Sequence, residues 1–166
     1  DPAGCKPHTI FLSQGDYPLK GLHYMLLALP AILKEYPDAK LYVAGNSLVA
    51  YGTLKEKLKI SAYGKYLRGL LASRGLEERV SFLGKLDAGQ MRDRYLKSGL
   101  FVCCSSVENS PNSLGEAMLL GMPCVSADVG GVSSVFTGGV DGILYRGSED
   151  DRAPGERPWT VAESWR

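Results

Sequence analysis

Two apolar periods alternate along this chain, and the alternation restricts it to one class of fold. Short unbroken apolar runs of strand type fall at residues 8–13 (HTIFLS), 40–44 (KLYVA), 79–83 (RVSFL), 100–105 (LFVCCS) and 124–127, with a sixth at 142–145. Helical spacing fills the intervals. Leu22, Met25, Leu26, Leu29 and Leu33 recur at that spacing, with Pro30 expected to kink or break the helix and Pro37-Asp38 to end it. Tyr51, Leu54 and Leu58 suggest a further helix, and Tyr63, Leu67, Leu70 and Leu71 another, although Gly52, Gly64 and Gly69 weaken both. A short helix is expected over 87–98, with Asp87 as its cap and Met91 and Tyr95 on one face. The last, over 113–120, is stopped by Gly121 and Pro123. Strands alternating with helices require a parallel sheet with right-handed crossovers. The expected architecture is α/β, a doubly wound, mostly parallel sheet of about six strands with helices on both faces.

That pattern fills residues 1–146 as one domain. From Gly147 the string GSEDDRAPGERPWTVAESWR is rich in charge, proline and glycine, with little to bury. Residues 147–166 are therefore expected to be an irregular, poorly ordered tail, in which the spacing of Trp159 and Trp165 assigns them no docking place.

Composition excludes several functions. The formal net charge is +1, so no charge field argues for nucleic acid or an anionic membrane surface. No run approaches the length of a membrane-spanning helix, and Asp1-Pro2-Ala3-Gly4 lacks the basic start and apolar run of a signal peptide. The cysteines, Cys5, Cys103, Cys104 and Cys124, form no Cys-x-x-Cys pair, and the histidines are His8 and His23 alone, so no metal site is expected. Cys103, Cys104 and Cys124 lie in apolar runs and read as small core residues. Free thiols point to a reducing, cytoplasmic setting.

In a doubly wound sheet, ligands bind beyond the carboxyl ends of the strands, where the strand order reverses. With six strands the usual order sets the first and fourth side by side at that crevice. The two loops richest in polar residues follow those two strands, 14–21 (QGDYPLKG) and 106–113 (SVENSPNS). The second leads into a helix whose free amides and dipole attract an anion, and Lys20 can add a point charge. These parts describe a diphosphate cradle. The glycine fingerprint of dinucleotide binders and the P-loop are both missing. Glu108 in the loop and Glu116 about one turn into the helix can each accept hydrogen bonds from a diol, a ribose or a hexose. Plainer readings stand beside these. Ser113-x-x-Glu116 has capping-box spacing. Glu108 can be a solvated loop acid, Lys20 a surface lysine, and Gly130-Gly131 a tight turn. His23, one residue off the apolar stripe, reads as a boundary residue.

The run ENSPNSLGEAMLLGMPCV, residues 108–125, resembles the Glu-x7-Glu signature of glycosyltransferase family 4. Phe82-Leu83-Gly84 before it, and Gly130-Gly131 and Gly139-x-x-Gly142 after it, keep the family's order. Lys20-Gly21 and the stretch from Pro37 to Gly45 look like its opening strand-helix-strand. The resemblance covers roughly residues 8–146. It implies an enzyme of two Rossmann-like halves facing a cleft, with this chain similar to the C-terminal half that holds a nucleotide sugar. It implies that Glu116 holds the ribose hydroxyls, Glu108 the hydroxyls of the donor sugar and Lys20 the diphosphate. The amides around Asn112, Ser113 and Leu114 would assist with the phosphates, and the loop from Gly84 to Leu86 would lie near the base. The family usually carries an arginine five residues before the lysine. Gly15 stands there, so either backbone amides take over its part or phosphate affinity falls. Ser133-Ser134 stand where the family often has a glutamate.

The resemblance implies retention of anomeric configuration, no metal and no cofactor beyond the donor. The expected function is donor binding for transfer of a hexosyl group to an acceptor hydroxyl, in cell-envelope polysaccharide or glycolipid synthesis. The isolated chain is expected to be inactive without an N-terminal acceptor-binding half, and the full-length enzyme to associate peripherally with the inner face of the membrane. The alternatives are a nucleotide-sugar epimerase or phosphorylase of similar architecture, and a non-catalytic α/β nucleotide-binding module. An epimerase needs further acid–base residues, a phosphorylase a pyridoxal-bearing lysine, and a binding module would use Glu116 for stability alone.

Overall fold

An apolar run that covers both faces of a strand belongs in the interior of a parallel sheet. In the computed structural model, which describes residues 4–46 and 61–146, the two longest such runs are the central neighbours β1 (Lys6–Leu12) and β4 (Ser98–Cys103). Outside β1 lie β2 (Lys40–Ala44) and β3 (Val80–Gly84). Outside β4 lie β5 (Cys124–Ala127) and β6 (Ile143–Tyr145). The order is β3-β2-β1-β4-β5-β6 and every pairing is parallel. The expected doubly wound sheet is present, and the first and fourth strands meet as expected.

Alternation along each strand divides the core in two. Ile10, Leu12, Leu41, Val43, Leu100 and Val102 face α1 (Leu22–Glu35) and α2 (Ala62–Arg74). Phe11, Phe101, Cys103 and Cys124 face α3 (Ala88–Lys97) and α4 (Asn112–Leu119). Successive side chains point to opposite faces, so one run of β4 supplies both layers.

Pro30 does not break its helix: α1 runs from Leu22 to Glu35 with the proline inside it. The lost backbone bond and ring clash cost about 3 kcal/mol. Leu26, Leu29 and Ile32 are all buried around it, each contributing roughly 1.5–3 kcal/mol, so burial prevails. Asp87 caps α3 as expected, in a full capping box with Gln90. The suggested helix at Tyr51, Leu54 and Leu58, and the tail 147–166 with Trp159 and Trp165, lie outside the described residues. Among the described residues no helix is long and apolar enough to cross a membrane.

Cys103, Cys104 and Cys124 are buried in the sheet layers, whereas Cys5 is half-buried. Burial pushes the Cys124 thiol up to about 12 and raises Cys103 and Cys104 as well. Thiolates are the reactive form, so these three should be inert in the folded protein. With a thiol-reactive chromophore, one fast-reacting cysteine, Cys5, is expected per native chain, and the remainder only after denaturant is added. Fast native reaction of two or more thiols would contradict this packing.

Candidate functional site

The loops after β1 and β4 come together first through backbone contacts. Gly21 has φ 75°, and a β-carbon there would overlap the carbonyl oxygen of Cys104. Ser106 N–H donates to the Leu19 carbonyl at 2.8 Å, tying the two loops side by side. Behind the second loop, β-carbons on Gly130 (φ 52°) and Gly131 would overlap the carbonyls of Glu108 and Asn109. Gly131 N–H donates to the Glu108 carbonyl at 3.0 Å. The Gly-Gly pair is therefore the seat of the loop that carries Glu108, which is more than a tight turn. Only glycine permits so close an approach at positive φ.

This closure places Lys20 against Glu108. The Lys20 ammonium donates to Glu108 Oε1 at 2.6 Å, and the Ser105 hydroxyl donates to the same oxygen at 2.6 Å. The glutamate side chain is 8% exposed and the lysine 32%, so Glu108 is not a solvated loop acid and Lys20 is not a free surface lysine. Glu108 Oε2 has no hydrogen-bond partner among the described residues. A hollow of about 20 Å³, room for roughly one water molecule, opens between the carboxyl ends of β1 and β4. Lys20 is the cationic side chain that lines it, with Gln14, Ser105, Glu108 and Ser113.

The helix beyond contributes amides. Pro111 is the N-cap of α4, with no side-chain cap. Leu114 N–H donates to the Pro111 carbonyl at 3.0 Å, so Asn112 and Ser113 keep the amides with no backbone acceptor. Glu116 is not a capping-box residue. The helix begins at Asn112 with Pro111 as its N-cap, two residues earlier than that spacing needs, and Glu116 projects from its second turn, exposed. Its Oε2 lies 3.2 Å from the hydroxyl of Tyr95.

Gly15 lies differently from a phosphate ligand. It is buried, its N–H donates to the Ala44 carbonyl at 2.9 Å, and a β-carbon would overlap Val43. Its amide is thus engaged, and an arginine at this position would point into the core under α1. Leu86 is half-buried just before α3 and packs on the second core layer with Leu83 and Met91. His23 is a boundary residue on α1, its Nδ1 3.1 Å from the Tyr63 hydroxyl, and burial lowers its pKa. Sequence reasoning missed Ser105 and Tyr95. Ser105 stands three residues before Glu108 at a strand end, a usable signal. Tyr95 reaches Glu116 from another helix, and no local spacing reveals that.

The sequence profile of the family described as "Glycosyl transferases group 1" matches residues 5–154. The chain belongs to this family. Among curated relatives of these group 1 glycosyltransferases, the chain is 28% identical over 140 residues to spore coat protein SA of Bacillus subtilis, covering 84% of this chain and 35% of that protein. It is 30% identical over 137 residues to an uncharacterised glycosyltransferase of Methanocaldococcus jannaschii, covering 82% of this chain and 31% of the relative. It is 29% identical over 139 residues to the phosphatidyl-myo-inositol mannosyltransferase of Mycobacterium leprae, covering 82% and 32%. The chain thus spans about a third of the length of the curated relatives it matches. Among solved structures, Anabaena HepE in complex with UDP and glucose superposes with a TM-score of 0.69 at 26% identity, over 89% of this chain and 36% of that one. The pneumococcal O-GlcNAc transferase GtfA, in complex with UDP and GlcNAc, shares the fold at a TM-score of 0.71 and 20% identity, over 90% of this chain and 26% of that one.

The seat formed by Gly130 can be tested against a glycine of the same loop–helix unit that meets nothing. Gly115 lies in α4 with open space where a β-carbon would go. Gly130→Ala should destabilise by roughly 1–3 kcal/mol in urea unfolding, whereas Gly115→Ala should gain about 0.5–1 kcal/mol. Equal effects would remove the close approach as the reason for the Gly-Gly pair.

Proposed function

We propose that this chain is the donor-binding half of a retaining glycosyltransferase, holding a nucleoside diphosphate sugar whose hexosyl group passes to an acceptor hydroxyl. The observation that carries the reading is the Lys20–Glu108 pair at the junction of β1 and β4, beside the open amides of α4. An ammonium has three N–H donors. Lys20 gives one to Glu108 and keeps two for a diphosphate, whose other face meets the amides of Asn112 and Ser113; Leu114 anchors that turn from the core. Glu108 Oε2 takes a hydroxyl of the donor sugar. Glu116 takes the ribose diol, and the loop from Gly84 to Leu86 flanks the base. Gly15 acts by letting α1 close on the sheet, and it leaves Lys20 as the cation of the site.

The chemistry follows from where charge develops. As the glycosidic bond to the diphosphate breaks, negative charge grows on the leaving phosphate. Fixed donors at Lys20 and the head of α4 meet that charge without reorganising, the part a metal plays elsewhere, so the reading uses neither metal nor cofactor. The UDP and glucose held by HepE support a nucleotide-sugar donor. The phosphatidyl-myo-inositol named for the M. leprae relative supports a glycolipid acceptor. The relatives' greater length supports a separate acceptor-binding half.

A thermal-shift panel of UDP, GDP, ADP and their hexose conjugates tests the reading. At about one hundred times its dissociation constant, the cognate ligand should stabilise the chain by roughly 2.7 kcal/mol. Glu116→Ala should lose that shift while keeping its own melting temperature, since the residue is exposed and caps nothing. No shift with any nucleotide would sink the proposal and favour a module that binds something else.

A further inference from the structure

We propose that Tyr95 is a positioning residue for the nucleoside end of the site: its buried hydroxyl holds the Glu116 carboxylate in the orientation that receives the ribose diol. This rests on the reading that Glu116 takes the ribose hydroxyls.

Tyr95 is 1% exposed, among the largest fully buried side chains described. It enters from α3, and its ring is held by two phenylalanines. Phe11 lies edge-on at 5.1 Å and Phe101 at 5.5 Å. The ring therefore has one place to be, and so has the hydroxyl at its end. That hydroxyl lies 3.1 Å from the Ser113 carbonyl and 3.2 Å from Glu116 Oε2, both on α4. Both acceptors share one proton. Each distance exceeds the usual ~2.7–2.8 Å of an O–H···O bond, as a three-centre bond requires.

Two observations separate this from simple core satisfaction. In an α-helix the Ser113 carbonyl already accepts from the residue four positions on, so the hydroxyl is not needed to satisfy it. Glu116 is exposed and carries three rotatable bonds, and the Tyr95 hydroxyl is the hydrogen-bond partner of its carboxylate among the described residues. A free glutamate would have to be frozen when ligand binds. One already held loses less freedom, which is what preorganisation means for affinity. Burial, then the Glu116 charge, raise the Tyr95 pKa, so the group remains an O–H donor toward the carboxylate. With one lone pair of Oε2 taken by Tyr95, Oε1 and the remaining lone pairs of this exposed carboxylate are left for two neighbouring hydroxyls.

The test uses this whole chain and isothermal titration with UDP and 2′,3′-dideoxy-UDP, or the same pair on whichever base the thermal panel selects. The variants are Tyr95→Phe, which keeps the ring, Glu116→Gln, and the double variant. Wild type should prefer the ribose form. Tyr95→Phe should weaken the ribose form by about 3–10-fold and leave the dideoxy form unchanged, and the double variant should bind no more weakly than Glu116→Gln alone. A uniform loss on both ligands, or none, would overturn the positioning role while Glu116→Gln still upholds the ribose reading. A wild type that treats both ligands alike, or binds neither, overturns that reading and the proposal with it. Should Tyr95→Phe fail to fold, Glu116→Asp carries the same test: it keeps the charge but draws the carboxylate away from the hydroxyl. Its ribose preference must then fall, and retained preference refutes the proposal.

Discussion

Everything at the carboxyl end of the sheet depends on backbone touching backbone. Gly21 lies on the Cys104 carbonyl, and Gly130 and Gly131 lie on the carbonyls of Glu108 and Asn109. A methyl group at any of the three would push two loops apart. Side chains of opposite charge attract over several ångströms, but they cannot by themselves draw two loops to hydrogen-bond distance. Here the loops are already there, and the 2.6 Å contact between Lys20 and Glu108 is the outcome. Adjacency of β1 and β4 in the strand order brings the loops to one place, and the glycines let them close.

The two glutamates of the signature occupy different environments as a result. Glu108 is buried, with an ammonium and a hydroxyl on one oxygen. A carboxylate taken out of water needs such partners, and here both fall on one oxygen of a glutamate that lines the hollow. Glu116 stands in solvent, and its carboxylate is tied from below by a tyrosine that belongs to the core. One acid is set by charge, the other by packing. The core layer of Phe11, Phe101 and Tyr95 is thus joined directly to the exposed Glu116, so a change of volume there acts on that carboxylate as well as on stability.

Much of this was legible in the chain. The strands at 40–44 and 124–127 fall where the apolar runs place them, and β1, β3, β4 and β6 differ by one or two residues at their ends, where pairing with a neighbour sets the limit. Asp87 is the cap its spacing suggests. Where local signals and the fold differ, the cause is shared. Pro30 is a local signal to kink or break, and the burial of Leu26, Leu29 and Ile32 against the sheet carries the helix through it unbroken. Ser113-x-x-Glu116, the plainer alternative for Glu116, is a local signal to cap, overruled because Pro111 caps the helix two residues before Ser113. Gly15 stands where the resemblance places an arginine, and it fills a space between Val43 and Leu22 that only a contact with β2 and α1 reveals.

The sequence alone determined the layered α/β architecture, because the period of apolar residues is a property of neighbours along the chain. It also determined which two polar loops meet beyond the sheet, because they follow the first and fourth strands. Tertiary structure decided the rest: that Lys20 meets Glu108, that Ser105 shares the same oxygen, that Gly15 faces the core, and that Tyr95 holds Glu116. Those contacts join residues up to 88 positions apart, and their geometry is set by how helices and strands pack. No spacing along the chain encodes a distance of that kind.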